Sequence, residues 1–588
     1  MEIKNRKKHF YFDLGLFFLI YMAILITISM LLFFIGITIG PAHTLISLLL
    51  TILSFKMLKK ENILQITIIS IVIACLFIMI SGNVIDTSYD GNAYRKPMVG
   101  LLKEGWNPVY ETPEEFNAKL GSLPRVIGKD EWKWIEFFPK GMAILGASIY
   151  AISQNIECGK AYHFITMFMI FCFFYDYVRT RYFNRISSFL IALITMLNPV
   201  ALTQLRTFYV DAPLNNMVIV NLIFIIMLLD AKYIEIKKEE VLNAVGLSII
   251  IGINTKFNAL YSMGVICLIF FGIVFWKERK KEAICVLSSF KIFMTLAIYT
   301  LLSIILVGFA PYVTNYLRWK EILPGVIGNT LGYMSGSFAT STDGFNTPQI
   351  FWALLFGKMG DFWSETQLPL KIPFTFSIRE IVSYYIHAPH FGAYGVLFSG
   401  LFIISVIILA VIIYQNKKYI INDFFYKTSI GILGLIFIQC SLTPLGAGGL
   451  RYVGYFYVII PLSVLLILGN IKKNSRNILM KIIAGIFIVG IFLNIIPWAK
   501  VFTDIYKESI KTNKDFSIIS QNAFENDKIL EVGFVRTPEE GCSGYLYNLK
   551  DYGIKCGKIV KTSDQSDKPI YYTCGWQISF YLEDFLRE

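Results

Sequence analysis

From Leu14 to Gly40 the chain carries no charged residue, and the same holds from Ile63 to Ser81 and from Ile292 to Ala310. Apolar runs of this length suit a bilayer, whose hydrocarbon core of roughly 30 Å takes about 20 helical residues to cross. Only 16% of the 588 residues are charged, where an ordinary soluble domain carries about 25%. The mean hydropathy is +0.59. As descriptions of the whole chain, a soluble enzyme, a nucleic-acid-binding protein and a secreted disulfide scaffold are excluded. The sequence is that of an all-α polytopic membrane protein.

The net charge of +13 does not call for a polyanionic partner, because the basic residues sit in short turns between apolar runs. Lys4, Arg6, Lys7 and Lys8 precede the first run. Later clusters include Lys56, Lys59 and Lys60, then Arg179, Arg181 and Arg185, then Lys277, Arg279, Lys280 and Lys281. Such clusters mark cytoplasmic turns. With that rule, hydropathy places spans at 14–39, 42–58, 63–82, 160–178, 186–205, 211–230, 241–254, 257–276, 289–310, 392–414, 424–442, 452–470 and 478–498. About thirteen transmembrane helices result, with the N-terminus inside and the C-terminus outside. The first run is longer than a signal-peptide core and lacks a small-residue cleavage site, so it is expected to remain as an anchor.

The division expected is a transmembrane domain over 1–498, with extracytoplasmic loops 83–159 and 312–391, and an extracytoplasmic C-terminal domain over 499–588. The tail is polar, with strand-like runs at Lys528 to Val535 and Pro569 to Thr573 separated by turn signals, which predicts a small α/β unit. Cys542, Cys556 and Cys574 lie in it, where an outside location permits a disulfide of undetermined pairing. No cysteine and histidine spacing suggests zinc, and no Walker-type or dinucleotide glycine motif occurs.

The stretch Asp86-Thr-Ser-Tyr-Asp90-Gly-Asn-Ala-Tyr94 follows the third span. Carboxylates at the membrane interface are tolerable where they face water. On a helix, Asp86 and Asp90 would share one side. Two nearby carboxylates have their proton affinities split, so that one acts as a base. For Asp86 a helix cap is an equal reading. Next comes Glu136-Phe-Phe-Pro139-Lys140-Gly141, a turn that would present an ammonium and free N–H groups to a phosphate, with a snorkelling interface lysine as the even alternative. Trp132 and Trp134 read as interface belt residues. Arg206-Thr-Phe-Tyr209-Val-Asp211 and Asn254-Thr-Lys256 form two further outer turns. Arg206 and Asp211 read first as a structural pair. Lys256 has no local counter-ion, which favours an anionic ligand. Gly446-Ala-Gly-Gly449-Leu-Arg451-Tyr452 would set backbone amides and a guanidinium before a phosphate or pyrophosphate. In 312–391 the polar residues are Tyr312, Asn315, Arg318, Asp343, Asp361, Glu365, His387 and His390. The two histidines read as satisfied interface residues.

Together these residues resemble the GT-C superfamily of membrane glycosyltransferases, which includes the lipid-A aminoarabinose transferases and the protein O-mannosyltransferases. Asp90-Gly-Asn-Ala-Tyr94 is similar to the Asp and aromatic that open the first large outer loop there, although Arg95 stands where a His often follows. Glu136-Phe-Phe-Pro139-Lys140-Gly141 is similar to the later Pro-containing turn. Tyr209-Val-Asp211, Asn254-Thr-Lys256-Phe and Pro311-Tyr-Val-Thr-Asn315 resemble outer turns of other bacterial members. The likeness covers 85–500 in layout.

The resemblance implies an integral protein of the bacterial cytoplasmic membrane with its site on the extracytoplasmic face. It implies inverting transfer from a polyprenyl-phosphate-linked sugar to a glycan, lipid or protein acceptor of the cell envelope. Asp90, with Asp86, would be catalytic, Asp90 as the general base. Tyr94, Glu136, Lys140, Tyr209, Asp211, Lys256 and Arg451 would bind substrate, the cations holding the departing lipid phosphate. No cofactor is required, and the carboxylates are compatible with a divalent cation. Membrane lipids are the other partners, and nucleic acid is not. The rival expectations are an outer-face polysaccharide polymerase or ligase, and a flippase or transporter of lipid-linked glycans.

Overall fold

The computed structural model describes residues 9–120, 129–233, 235–281, 287–324, 344–361, 370–415, 417, 423–473, 478–525, 530–534, 543–554, 556–561, 570–574 and 578–581. Asp343, Glu365 and Cys542 lie outside these residues, as do the side chains of Cys556 and Cys574, and the disulfide expectation lies outside with them.

Among the described residues ten helices are long and apolar enough to cross a membrane. The chain is an integral membrane protein. Each of the thirteen expected segments contains helix, but three fall short of that test. Pro41–Met57 and Arg185–Met196 are shorter, and Lys238–Thr255 begins with three charged residues. Asn198 caps a new helix, Pro199–Gln204, so 186–205 is broken in two. Loop 83–159 adds a bent pair not foreseen in the sequence, Glu131–Phe137 and Gly141–Ser153, which meet at 97°.

Burial orders the bundle. Of the most apolar stretch of Asp211–Leu229, 94% is buried, against 17% for Ile63–Gly82 and for Ser289–Leu306, so the first is central and the others face lipid. Apolar side chains gain little from packing together in lipid, which leaves polar contacts and close fits to fix neighbours. On the central helix, Asn216 donates to Thr166 Oγ1 at 3.0 Å and Asn221 to Ser248 Oγ at 3.0 Å. Asn215 donates to the Arg451 carbonyl at 2.9 Å, and its Oδ1 accepts from the Tyr455 amide at 3.3 Å. That pair of bonds sets the height of Arg451 against Asp211.

At the end of the bundle away from Asp211 stand three ion-paired groups. Arg181 holds Asp230 at 2.7 Å, Lys60 bridges Asp13 and Glu240, and His9 lies between Asp176 and Glu235.

The domain boundary expected at 498 falls inside one helix, Ile478–Glu525, of 48 residues. At 1.5 Å per residue it is about 72 Å long, more than twice a bilayer core. Beyond it, strands β1 (Leu530–Phe534), β2 (Cys556–Lys561), β3 (Ile570–Cys574) and β4 (Ile578–Tyr581) form one sheet in the order β2-β1-β4-β3. β1 runs parallel to β2 and antiparallel to β4, and β3 pairs antiparallel with β4.

Helix Gly544–Asp551 returns from this tail to the bundle. Its Tyr547 ring fills the space above Gly100, where any side chain would collide with it. Asp551 accepts from Tyr150 Oη and, at 2.7 Å, from the Ile156 amide. Burial pushes the Asp551 carboxyl up to about 7, opposed by these two hydrogen bonds and the charge of Lys103, and assisted by Glu157. An undocked carboxyl titrates near 4, its ordinary value being about 3.9. Docking therefore retains a proton that the free form has lost between these two values. The contact is firmest below about pH 4, weakens as pH rises to about 7 and is level above that. Hydrogen exchange of residues 543–554 should speed up between about pH 5 and about pH 7 beyond the intrinsic rate. Asp551→Asn should remove that excess, and an excess that survives the substitution would contradict the assignment.

Candidate active site

Asp90 sits at the start of the segment Gly91–Arg95, a wide helical turn that leads into helix Lys96–Glu104. Wide turns of this kind recur at functional sites because they re-aim side chains. Asp90 Oδ2 lies 3.6 Å from Arg451 Nη1, and its side chain is 22% exposed, the most open of the cluster's four ion-paired side chains. A gap of 3.6 Å permits attraction but is beyond hydrogen-bond range, so the carboxylate oxygens stay free to accept a proton.

Arg451 Nε in turn lies 3.7 Å from Asp211 Oδ2, and Lys256 Nζ is paired with Asp211 Oδ1. Gln204 steadies the same turn through the Ala212 amide at 2.8 Å and Asp211 Oδ2 at 3.4 Å. Aromatic faces carry the cations. Arg451 stands 5.0 Å from the centre of the Tyr209 ring and 5.6 Å from that of Tyr452, and Lys256 lies 3.9 Å above Tyr452. Arg95 lies between Tyr94 and Phe138, 4.9 Å and 5.0 Å from their ring centres, and within electrostatic reach of Asp211. Burial, and then the charge of Asp90, push the Tyr94 and Tyr209 hydroxyls well above the usual phenol range, so both remain donors.

Two carboxylates thus face three cations, which leaves one positive charge in surplus. Loops far apart in sequence build this cluster, and it brings together Asp90, Tyr94, Tyr209, Asp211, Lys256 and Arg451.

Asp86 stands elsewhere. The residues before Tyr89 are not helical, so the expected shared helix face with Asp90 does not exist. The Asp86 carboxylate is fully buried and accepts the amides of Ser88 at 2.7 Å and Phe208 at 2.8 Å. It fastens the Asp90 loop to the turn before Asp211, and burial raises it above the usual carboxylate range. Gly91 packs directly on it, and a Cβ there would collide with Oδ2 and with Ser88 Oγ. Gly91→Ala is expected to lower stability by ~1–3 kcal/mol through overpacking, read as a fall in the thermal midpoint; an unchanged midpoint would mean the loop has room to spare.

Glu136 and Lys140 are drawn into the framework. Glu136 Oε1 accepts from Arg318 at 3.2 Å and from the Trp319 indole at 3.1 Å. Lys140 is buried and donates to the carbonyls of Glu136 and, at 2.8 Å, Phe138, closing the end of the preceding helix. The next residue is glycine because a Cβ at Gly141 would stand 2.5 Å from the Asn254 carbonyl oxygen. The expected pairing of Arg206 with Asp211 is absent. Arg206 donates instead to the carbonyls of Tyr385 at 2.7 Å and Tyr384 at 3.4 Å, and burial lowers it to about 10, which still leaves it charged at neutral pH.

The glycine-rich turn also differs from expectation. Gly446–Val458 is a tight helical segment kinked at Gly449 and Val453. The amides of Gly448 and Gly449 bond the Leu445 carbonyl, and that of Leu450 bonds His390 O at 2.8 Å. Gly449 has φ +55° and lies against His390, so it serves a close backbone approach. The guanidinium remains available where the amides do not.

His387 shares a 2.8 Å hydrogen bond with Thr87. Among the described residues no group of three or more His, Cys, Asp or Glu is placed to hold a metal ion. Asp86 and Asp90 do not form a shared divalent-cation site, since two amides occupy the Asp86 carboxylate.

Arg95, Tyr452 and Gln204 belong to the site as well. Arg95 and Tyr452 each adjoin a singled-out residue, and that adjacency was the available signal. No family model and no curated protein matches the chain. Its fold is similar to the crystal structure of ArnT from Cupriavidus metallidurans bound to undecaprenyl phosphate, at 10% identity, over 87% of this chain and 96% of that one, with a TM-score of 0.46.

Proposed function

We propose that the protein is a membrane glycosyltransferase which moves a sugar from a polyprenyl-phosphate-linked donor to an acceptor hydroxyl of a cell-envelope glycan, lipid or protein, with inversion at the anomeric carbon. The observation that carries this reading is the cluster around Asp90: a partly open carboxylate with free oxygens, beside cations whose surplus charge suits a phosphate monoester. The basic turns favour an extracytoplasmic position for it.

In the reaction, the acceptor oxygen attacks the anomeric carbon from the face opposite the lipid phosphate. The bond from that carbon to the phosphate oxygen breaks, and the acceptor proton passes to Asp90. Arg451 and Lys256 hold the charge that gathers on the departing phosphate, in a largely buried site where such contacts count for most. Arg95 adds to the same field. Asp211 keeps both principal cations in place, and Tyr94 and Tyr209 supply hydroxyl donors and ring faces to a sugar. Glu136 and Lys140 contribute by fixing the turn that carries Phe138 against Arg95.

The test is a purified preparation in lipid nanodiscs given polyprenyl-phosphate-linked sugars and a set of envelope acceptors. Release of free polyprenyl phosphate with a product of opposite anomeric configuration is the expected result. A product that retains configuration would overturn the mechanism, and failure to bind any polyprenyl monophosphate would overturn the reading as a whole.

A further inference from the structure

The turn that carries Asp90 has a defect built into it by sequence. Pro97 has no N–H, yet it stands four residues after Ala93 and five after Asn92, where the helical donors to their carbonyls belong. The Lys96 amide does not make up the loss, since it bonds the Gly91 carbonyl. Both carbonyls are instead met by one hydroxyl from more than 400 residues away, which shares its single proton between them. Ser543 Oγ lies 3.1 Å from Asn92 O and 3.3 Å from Ala93 O, and Ser543 is 2% exposed.

The residues after Ser543 serve the same purpose. Gly544 lies against the Asn92 backbone, and a Cβ there would stand 2.7 Å from Asn92 Cα. One turn on, Asn548 accepts from Lys96 Nζ at 2.9 Å and donates to Glu157 Oε1 at 2.8 Å, all buried. From the other side, Asn92 Nδ2 donates to the carbonyls of Asp86 at 2.8 Å and Ser88 at 2.9 Å. The turn is gripped from both sides, and Asp90 at its start reaches toward Arg451.

We propose that Ser543, with helix Gly544–Asp551 behind it, is a positioning device for Asp90: it completes the hydrogen bonding of the wide turn and so fixes the distance from Asp90 to Arg451. This rests on Asp90 being the reacting carboxylate. The tail is then part of the catalytic apparatus, although none of these side chains touches a reacting atom.

The experiment uses the full chain in nanodiscs, with hydrogen exchange of residues 91–96 and transfer kinetics measured side by side. Ser543→Ala should raise exchange in 91–96 by about tenfold or more while the membrane helices keep their protection, because a lost bond opens the turn locally. Turnover should fall ten- to a hundredfold with KM within about twofold, as expected for a displaced catalytic group. Gly544→Ala, which wedges the helix away, should do the same. Ser543→Thr keeps the hydroxyl and should restore both readouts. Lys119→Gln, which removes an exposed pairing with Glu111 away from that helix, should alter neither. Wild-type exchange at 91–96 in a folded Ser543→Ala protein would overturn the proposal, and so would loss of protection throughout the bundle. If exchange responds as expected but the wild-type protein transfers no sugar, the positioning contact stands and the proposed reaction falls.

Discussion

Asp90→Asn is expected to lower turnover by about a thousandfold, within the range of 10²–10⁴ that a positioned base contributes, while binding of a polyprenyl monophosphate becomes tighter. The two effects have one cause. The amide keeps the size of the carboxylate and its place 3.6 Å from Arg451, but it cannot take the acceptor proton. Removing its negative charge also raises the surplus of the cluster from one positive charge to two, which draws the lipid phosphate more strongly. The fold should persist, because Arg451 keeps Asp211 as a partner and Asp86 still fastens the loop. Single-turnover transfer and equilibrium binding of the lipid phosphate, measured on the same preparation, separate these terms. Retained turnover above about a tenth of the wild-type rate would remove Asp90 from the role of base. Binding that weakens in step with turnover would mean that the carboxylate contacts the donor directly.

The architecture could be read from the chain because lipid imposes it. A helix that crosses a bilayer must be long and uncharged, and each expected span contains helix at the expected place. The differences lie at the break inside the expected span 186–205 and where the chain meets water. The helix Ile478–Glu525 runs on past the end of its apolar stretch because nothing in 499–525 breaks it. Of the site, the sequence showed which residues were costly to place but not whom they meet. Lys256 lacked a local counter-ion, and its partner Asp211 lies 45 positions away. Arg206 and Asp211, close in sequence, are held by different neighbours. Asp86 and Asp90 share a motif, yet only Asp90 faces the cations, because a carboxylate that accepts two buried amides is a structural clasp. Nothing in the tail announced Ser543. Its role depends on a proline's missing N–H, which matters only once the two segments are seen in contact.

Arg451 should prove the most consequential of the cations, and the comparison of Gln with Lys at this position separates charge from shape. It is the only one of them paired with both Asp90 and Asp211, at 3.6 Å and 3.7 Å, and it is carried on the rings of Tyr209 and Tyr452. Arg451→Gln cancels the surplus positive charge and leaves Asp211 its ion pair with Lys256. Affinity for a polyprenyl monophosphate should fall about a hundredfold, and turnover by a further 10²–10³, the usual loss on removing one donor that stabilises developing negative charge. Breaking one side of a partly buried ion cluster should also cost about 3 kcal/mol of stability. Arg451→Lys keeps the charge but loses the flat fork that reaches two oxygens at once and stacks on aromatic faces. It should recover the stability and most of the binding while turnover stays at least tenfold below wild type. A merely structural arginine predicts otherwise: Lys would restore stability and turnover together, and that result would shift the phosphate contact to Lys256 and Arg95.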